Sequence, residues 1–442
     1  MSTEKTDSGL TLPDIPKKKD YEDYVAALLQ AGGYYLERGV ILRLRHDFLE
    51  LDIVSTKFEK DKYCRILAEV KSGGWGYSDV FKVRGWLDYL ELDKANFIVQ
   101  KTTDDMDLDK IFFDKIKVHL VNDKQLDDGE IYNAYNIKGE SVSSDVVAIL
   151  RYSYALEKEM LLTLQCRKKS EPENVGFNKL DKFIFNVSNN VFFEPAPIDK
   201  LSALFALYTD NKNITARISK ELNGETYPDN GDKLFLETSD FKHLFYDATE
   251  PDILYVSLYA ELMSRLAIMK ACIEDILIGK DKKTLAERIK YFDLPANIII
   301  GGLYKLKGEK YFYLYPYFWQ VFIYLFGGFI LKCKQKEEYQ LLSDYTGISN
   351  EEIPNALDAF DLLFPLVCDS WFIDQRHTEI QVMQFFPVPF RGIGVIFRAF
   401  AYKWQSVDNM KKALNGEHTV DDMTKWARLT MSYLEMDKRH KN

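Results

Sequence analysis

Phe48 to Ser55 reads FLELDIVS, and Ile66 to Gly74 reads ILAEVKSGG. Both runs alternate apolar, mostly β-branched or aliphatic residues with charges, as strands do when one face meets a core. The polar TKFEKDKYCR between them is where the chain would reverse. A hairpin of these two runs places Asp52 beside Glu69. Glu69 and Lys71 lie two apart on the second run, so both project from the same face. Two carboxylates and one ammonium then stand at the ends of two neighbouring strands.

Outward from this pair, the flanking sequence supplies an α/β frame. Lys17-Lys18-Lys19-Asp20 opens a helix, with Asp20 as its expected N-cap and Asp23 completing a capping-box-like pair. Tyr24, Val25, Leu28 and Leu29 form its apolar face, and Gly32-Gly33 ends it. Strands are expected over Tyr34 to Leu42, Phe48 to Val54 and Tyr63 to Val70. A helix is expected from Ser78 to Leu90, with Val80, Val83, Trp86, Leu87 and Leu90 inward. Phe97 to Val99 is a short buried strand. A helical turn near Leu108 to Phe113 and a strand over Val118 to Val121 close the unit. The predicted class is an α/β domain with a mixed sheet and an α-β-β-β-α-β core.

Residues 1–16 read as a disordered leader, 17–125 as the α/β domain and 126–145 as a polar linker. Residues 146–442 read as a larger, mainly helical domain. Val146 to Cys166, Asp252 to Ile278 and Asn350 to Leu366 are expected helices, the last with Pro354 near its start. Another is expected from Thr419, capped with Asp422, to about Met436. Phe183 to Phe193 and Leu234 to Leu236 are strand candidates. Phe385 to Phe390 fits no pattern.

Length and composition bound the rest. At 442 residues the chain exceeds one ordinary core, and 46% hydrophobic with 29% charged residues is a globular composition. A net charge of -10 argues against coating nucleic acid by bulk charge, though a local basic groove suffices for a nuclease. The five cysteines are dispersed, with no Cys-x-x-Cys, which removes a zinc ribbon and fits a reducing cytoplasm. The six histidines form no closely spaced pair, and no Walker A loop occurs. Tyr311 to Leu331 (YFYLYPYFWQVFIYLFGGFIL) has the length of a membrane span. Its tyrosines, Pro316, Gln320 and Gly327-Gly328 favour a buried aromatic element over a membrane segment.

Phosphodiester hydrolysis needs an activated water, a Lewis acid on the phosphoryl oxygens and stabilisation of the leaving group. Mg²⁺ or Mn²⁺ takes oxygen ligands and keeps waters, so few carboxylates suffice. Asp52 and Glu69 are candidate metal ligands, with the Val70 carbonyl as a further one. Lys71 is the candidate to orient or deprotonate water and to balance charge on the phosphate. The plain alternative is a set of solvated strand-end charges. Against it, Glu69 comes after the apolar Ile66-Leu67-Ala68, where an unpaired charge is costly.

These residues resemble the PD-(D/E)XK, or restriction endonuclease-like, nuclease superfamily in its Mrr-like branch. YEDYVAALLQAGGYYLERG (21–39) resembles that branch's first helix and strand, where a helix glutamate assists the metal; Glu22 matches it. LELDIVS (49–55) resembles the motif with the principal metal aspartate, here Asp52, and AEVK (68–71) supplies the Glu-x-Lys pair. The likeness covers roughly residues 20–122. No proline precedes Asp52, and Ser72 after Lys71 carries no further role.

The resemblance implies a Mg²⁺-dependent endonuclease acting on DNA, of a branch common in restriction and anti-phage defence. The helical half would be a sensor, a partner-binding unit or an oligomerisation platform. Its charge of about -7 beyond residue 125 weakens a DNA-reading role. The rivals are a non-catalytic scaffold that uses the fold for docking, and a nuclease acting on RNA.

Other candidates carry bland readings of equal or greater weight. Glu50 shares the face of Asp52 and is either another ligand or a surface charge. His46-Asp47 reads as a turn before it reads as a base. Trp75 and Tyr77, in the glycine-rich SGGWGYS, would stack on a base or pack over the sheet edge. Lys82 and Arg84 would touch phosphates or simply face solvent. The Lys17 to Lys19 run reads as a solvated leader.

Overall fold

The computed structural model describes residues 16–43, 48–101, 115–120, 130–137, 142–194, 196–211, 253–278, 294–364, 373–374, 380–383 and 389–403. The α/β part runs α1 (Lys19–Ala31), β1 (Tyr35–Arg43), β2 (Phe48–Glu59), β3 (Lys62–Lys71), α2 (Tyr77–Leu90), β4 (Lys94–Val99) and β5 (Ile116–Leu120). Helices dominate the remainder of the chain: α3 (Glu130–Tyr135), α4 (Ser144–Ser170), α5 (Val175–Ser188), α6 (Pro197–Asn211), α7 (Ile253–Ile278), α8 (Leu294–Gly308) and α9 (Tyr315–Tyr324). Next come β6 (Phe329–Leu331), α10 (Gln335–Thr346), α11 (Ile353–Leu357), α12 (Ala359–Leu363), β7 (Ile373–Asp374), β8 (Ile380–Met383) and α13 (Pro389–Ala401).

The first five strands form one mixed sheet in chain order, with β1–β2 and β2–β3 antiparallel and β3–β4 and β4–β5 parallel. The antiparallel pairs need only short reversals, and β2 and β3 are joined by Lys60-Asp61 alone. The parallel step from β3 to β4 needs a crossover, which α2 provides. A small sheet of order β6-β8-β7 lies in the helical half.

The two faces of the large sheet are covered differently. Val80, Val83, Trp86 and Leu87 of α2 pack on Leu51, Val54, Leu67 and Phe97. On the other face, Tyr21, Val25, Leu28 and Leu29 of α1 pack on Ile53, Ile66 and Val70. That second core continues without a break into Ile149 and Leu150 of α4 and Trp319 of α9. Thus α1 is sandwiched between sheet and helical half.

Several expectations change. Asp20 is not the N-cap: α1 begins at Lys19, and Lys18 takes the cap position at φ 52° with no side-chain cap bond. The start is held instead by the Lys18 N–H donating to Ser72 Oγ at 2.7 Å, which ties the helix to the end of β3. The stretch 126–145 contains α3, whose Ile131 and Tyr135 are buried. Phe183 to Phe193 is not a strand. It belongs to α5 and the 3-10 turn after it, and Asn174 Oδ1 caps α5 by accepting from Gly176 and Phe177 N–H. Asn350 to Leu366 is not one helix but a 3-10 turn and then α11 and α12. Gly302 lets α8 cross the end of α12 closely, since a Cβ there would lie 1.9 Å from Leu362 O.

Leu108 to Phe113, Leu234 to Leu236, Phe385 to Val388 and Thr419 to Met436 lie outside the described residues, as do residues 1–15.

Tyr311 to Leu331 holds only a ten-residue helix, α9, fully buried along its length. Gly327 and Gly328, at φ 66° and 71°, turn the chain into β6. Among the described residues no helix is long and apolar enough to cross a membrane. The polar residue in α9 has a specific use. Gln320 is 2% exposed, accepts from Leu36 N–H at 2.9 Å and donates to Leu36 O at 2.8 Å. It thereby satisfies the outer edge of β1 as a strand would. Asn189 Oδ1 does the same for Ile41 N–H at 2.7 Å. Gln320→Ala strands two buried backbone groups, so urea unfolding should show a loss of about 2–4 kcal/mol. Replacement of the exposed Gln340 by alanine should cost under about 0.5 kcal/mol. Equal effects of the two changes would refute the clamp.

Candidate functional site

The β2–β3 ladder runs from Glu59↔Lys62 to Ile53↔Ala68. One further step sets Asp52 opposite Glu69. There the cross-strand bond comes from a side chain: Val70 N–H donates to Asp52 Oδ2 at 2.8 Å. Leu51 and Val54 both face the α2 core, whereas Ile53 faces α1, so strict alternation breaks at Asp52. On β1 the register passes from Arg38↔Ile53 to Val40↔Leu51, and Gly39 between them sits at φ 55°. Asp52 therefore lies within β2 rather than at its end, contrary to the expectation, and it is 8% exposed.

Glu69 is 1% exposed. Its Oε1 lies 2.5 Å from Lys71 Nζ, while its Oε2 is buried without a hydrogen-bond partner. Burial, and then the neighbouring Asp52 carboxylate, push Glu69 up to about 7, against the pull of Lys71. Burial also raises Asp52, opposed by the Val70 N–H, Lys71 and Lys19. Lys71 is raised: burial disfavours its charge, but Glu69 and Asp52 outweigh that.

Glu22 arrives from α1. Burial and the charge of Asp52 lift it to about 7. Its contact is Lys19, with Nζ 2.5 Å from Glu22 Oε2 and 3.6 Å from Glu50 Oε1. Lys19 is raised, since Glu22, Glu50 and Asp52 together exceed the burial penalty. The site thus holds a second ammonium, which the sequence marks only as part of a solvated lysine run. The signal available was spacing: Lys19 and Glu22 lie three apart, on one helix face. Glu50 stands with this group, near enough to Asp52 to raise it.

The expected nucleic-acid contacts separate. Trp75 is buried, donates from Nε1 to Lys101 O at 2.9 Å and packs with its ring centroid 5.1 Å from Phe97. Its indole is therefore spent on the sheet edge and is not a free stacking surface. Tyr77 is 44% exposed. Lys82 Nζ lies over the Trp86 ring at 4.3 Å, and Arg84 pairs with Asp88 at 3.3 Å. The charge of Lys82 reaches Glu69. His46-Asp47 lies outside the described residues.

Among the described residues no three His, Cys, Asp or Glu side chains converge as a ready metal cage. Mg²⁺ does not require one, because it keeps several waters and binds through one or two carboxylates plus substrate phosphate. The donor types fit: Asp52 and Glu69 are oxygen ligands on adjacent strands, and the orphaned Glu69 Oε2 is an acceptor with nothing to accept. The Lys71 ammonium supplies positive charge beside Glu69.

A pH dependence results. Glu22 and Glu69 are held above their ordinary value of 4.5, so the fold favours their protonated forms. That contribution is complete below about pH 4.5 and is lost as pH rises through about 7. The melting temperature of the metal-free chain, compared at pH 5 and pH 8, should show this fall. The double variant Glu22→Gln with Glu69→Gln should flatten it. A double variant with the wild-type slope would contradict the assignment.

In comparisons with protein-family models, curated proteins and solved structures, nothing matches the chain.

Proposed function

We propose that the chain is a metal-dependent endonuclease that hydrolyses DNA phosphodiester bonds. The observation that supports it most is the pairing of Asp52 with Glu69 across β2 and β3, with Lys71 on one Glu69 oxygen and the other oxygen buried and unpartnered. An unsatisfied buried carboxylate oxygen is costly, and a cation site is a reason to keep one. The resemblance of residues 20–122 to the PD-(D/E)XK superfamily agrees with the order of strands and helices around it.

In this reading Asp52, Glu69 and the Val70 carbonyl hold Mg²⁺ or Mn²⁺, with Glu22 in support. The bound cation would polarise the phosphoryl oxygens and lower the pKa of a water. Lys71 orients that water and balances charge on the phosphate. Lys19 keeps Glu22 and Glu50 from repelling the strand. A role in prokaryotic anti-phage defence, with the helical half as sensor, partner-binding or oligomerisation unit, rests on the resemblance alone.

A second reading, a docking module without catalysis, draws support from the lack of a three-ligand cluster among the described residues. The two separate cleanly. Asp52→Asn keeps the acceptor for Val70, so unfolding should be nearly unchanged while plasmid nicking in Mn²⁺ drops at least about a hundredfold. Lys71→Ala should lose nicking to a similar degree. Calorimetric Mn²⁺ binding should disappear in Glu69→Gln. Wild-type protein that neither nicks DNA nor binds Mn²⁺ would establish the docking module instead.

A further inference from the structure

We propose that the cavity between the sheet and the helical half seats one unpaired deoxynucleotide of the strand being cut, so that the substrate is single-stranded or locally opened DNA. This rests on the nuclease reading, since the nucleotide's phosphate would lie at Asp52. The cavity has a volume of about 560 Å³, the size of a small-molecule site. Its walls come from both halves of the chain, namely α1, β1 and β2 on one side and α4, α5 and α7 on the other.

Its lining carries two chemistries, a charged set of Lys19, Glu22, Glu50 and Asp52 and an apolar set that includes Leu161, Ile184, Phe185 and Met263. The acidic groups elsewhere on the wall each have a cationic partner, though Arg38 and Lys270 are each shared by two carboxylates. Arg38 pairs with both Asp23 and Glu157, Lys168 pairs with Asp181 at 2.6 Å, and Lys270 pairs with Glu37 at 3.2 Å. Around Asp52 three carboxylates, Glu22, Glu50 and Asp52, share the wall with Lys19, which contacts Glu22 and Glu50. The charged set takes a divalent cation, and through it a phosphate. The apolar set takes a flat, uncharged group, as a nucleobase is. The Arg43 guanidinium stands 5.3 Å from the Phe185 ring centroid, so a cation and an aromatic face meet on this wall. That pairing suits a strand passing with one base inward.

A base inside a duplex is stacked and paired, and it reaches a seat within a cavity only by leaving the helix. Here α4, α5 and α7 line the cavity together with α1, β1 and β2. A strand whose bases are already free avoids the unstacking cost.

The test uses the full chain and a fluorescein-labelled oligo-dT of about twelve nucleotides, with a blunt duplex of equal length, in Ca²⁺. Anisotropy should show the strand bound at least about tenfold tighter than the duplex. Leu161→Trp and Ile184→Trp, on separate helices, each fill space at the apolar set. Each folded variant should lose strand affinity about tenfold or more, with calorimetric Mn²⁺ binding within about twofold of wild type. Duplex bound as tightly as strand, or a folded filling variant that binds strand normally, overturns the proposal. The outcomes also separate it from the nuclease reading. Strand capture lost on filling, with no cleavage in Mn²⁺, keeps the cavity and removes the nuclease. Duplex cut as fast as strand, unaffected by filling, keeps the nuclease and removes the cavity.

Discussion

Lys60 and Asp61 form a two-residue turn, and the register they impose, Glu59 opposite Lys62, runs down the ladder to Asp52 and Glu69. Side chains alternate with a period of two, so a slip of one residue would exchange the faces of β3. Glu69 would then enter the apolar layer that Ile66, Ala68 and Val70 fill against α1. The apolar pattern on both faces forbids that slip. Chemistry and packing are locked to the same register, and the Asp52–Val70 bond closes the ladder at the site itself.

The helical half bears on the same place from the other side. Arg38 of β1 stacks at 3.5 Å from the Tyr154 ring centroid and pairs with Asp23 of α1 and Glu157 of α4. Tyr154 OH donates to Gln30 Oε1 at 2.5 Å. A buried guanidinium is tolerated only when paired and hydrogen-bonded. These contacts meet that condition by joining first strand, first helix and helical half. The acidic groups of β2 and β3 are held within a scaffold drawn from residues roughly a hundred positions away.

Local pattern revealed the elements that have a strong period. The β2 and β3 runs, the apolar face of α1 and the Gly32-Gly33 stop are all visible because near neighbours decide them. The failures have physical causes. Phe183, Phe185 and Val187 alternate like a strand, but Phe177, Leu180, Phe183 and Val187 recur at helical spacing, and Asn174 caps them; the longer window was the better guide. The close approach of α8 to the end of α12 depends on Gly302, which no local pattern records. At the site, adjacency of Asp52 and Glu69 was legible from hairpin arithmetic. The part played by Lys19 was not, because its partners Glu50 and Asp52 lie about thirty residues further along the chain. Burial of Trp75 depends on Lys101 and Phe97, which a local reading of SGGWGYS does not include.

Gln320 and Asn189 give the large sheet one more property. An outer strand with open N–H and C=O groups invites a neighbouring chain to add to it. Here side-chain amides occupy Leu36 and Ile41 along β1, the first from a residue 284 positions away. At these two positions the margin is blocked, which disfavours strand addition and edge-to-edge aggregation there.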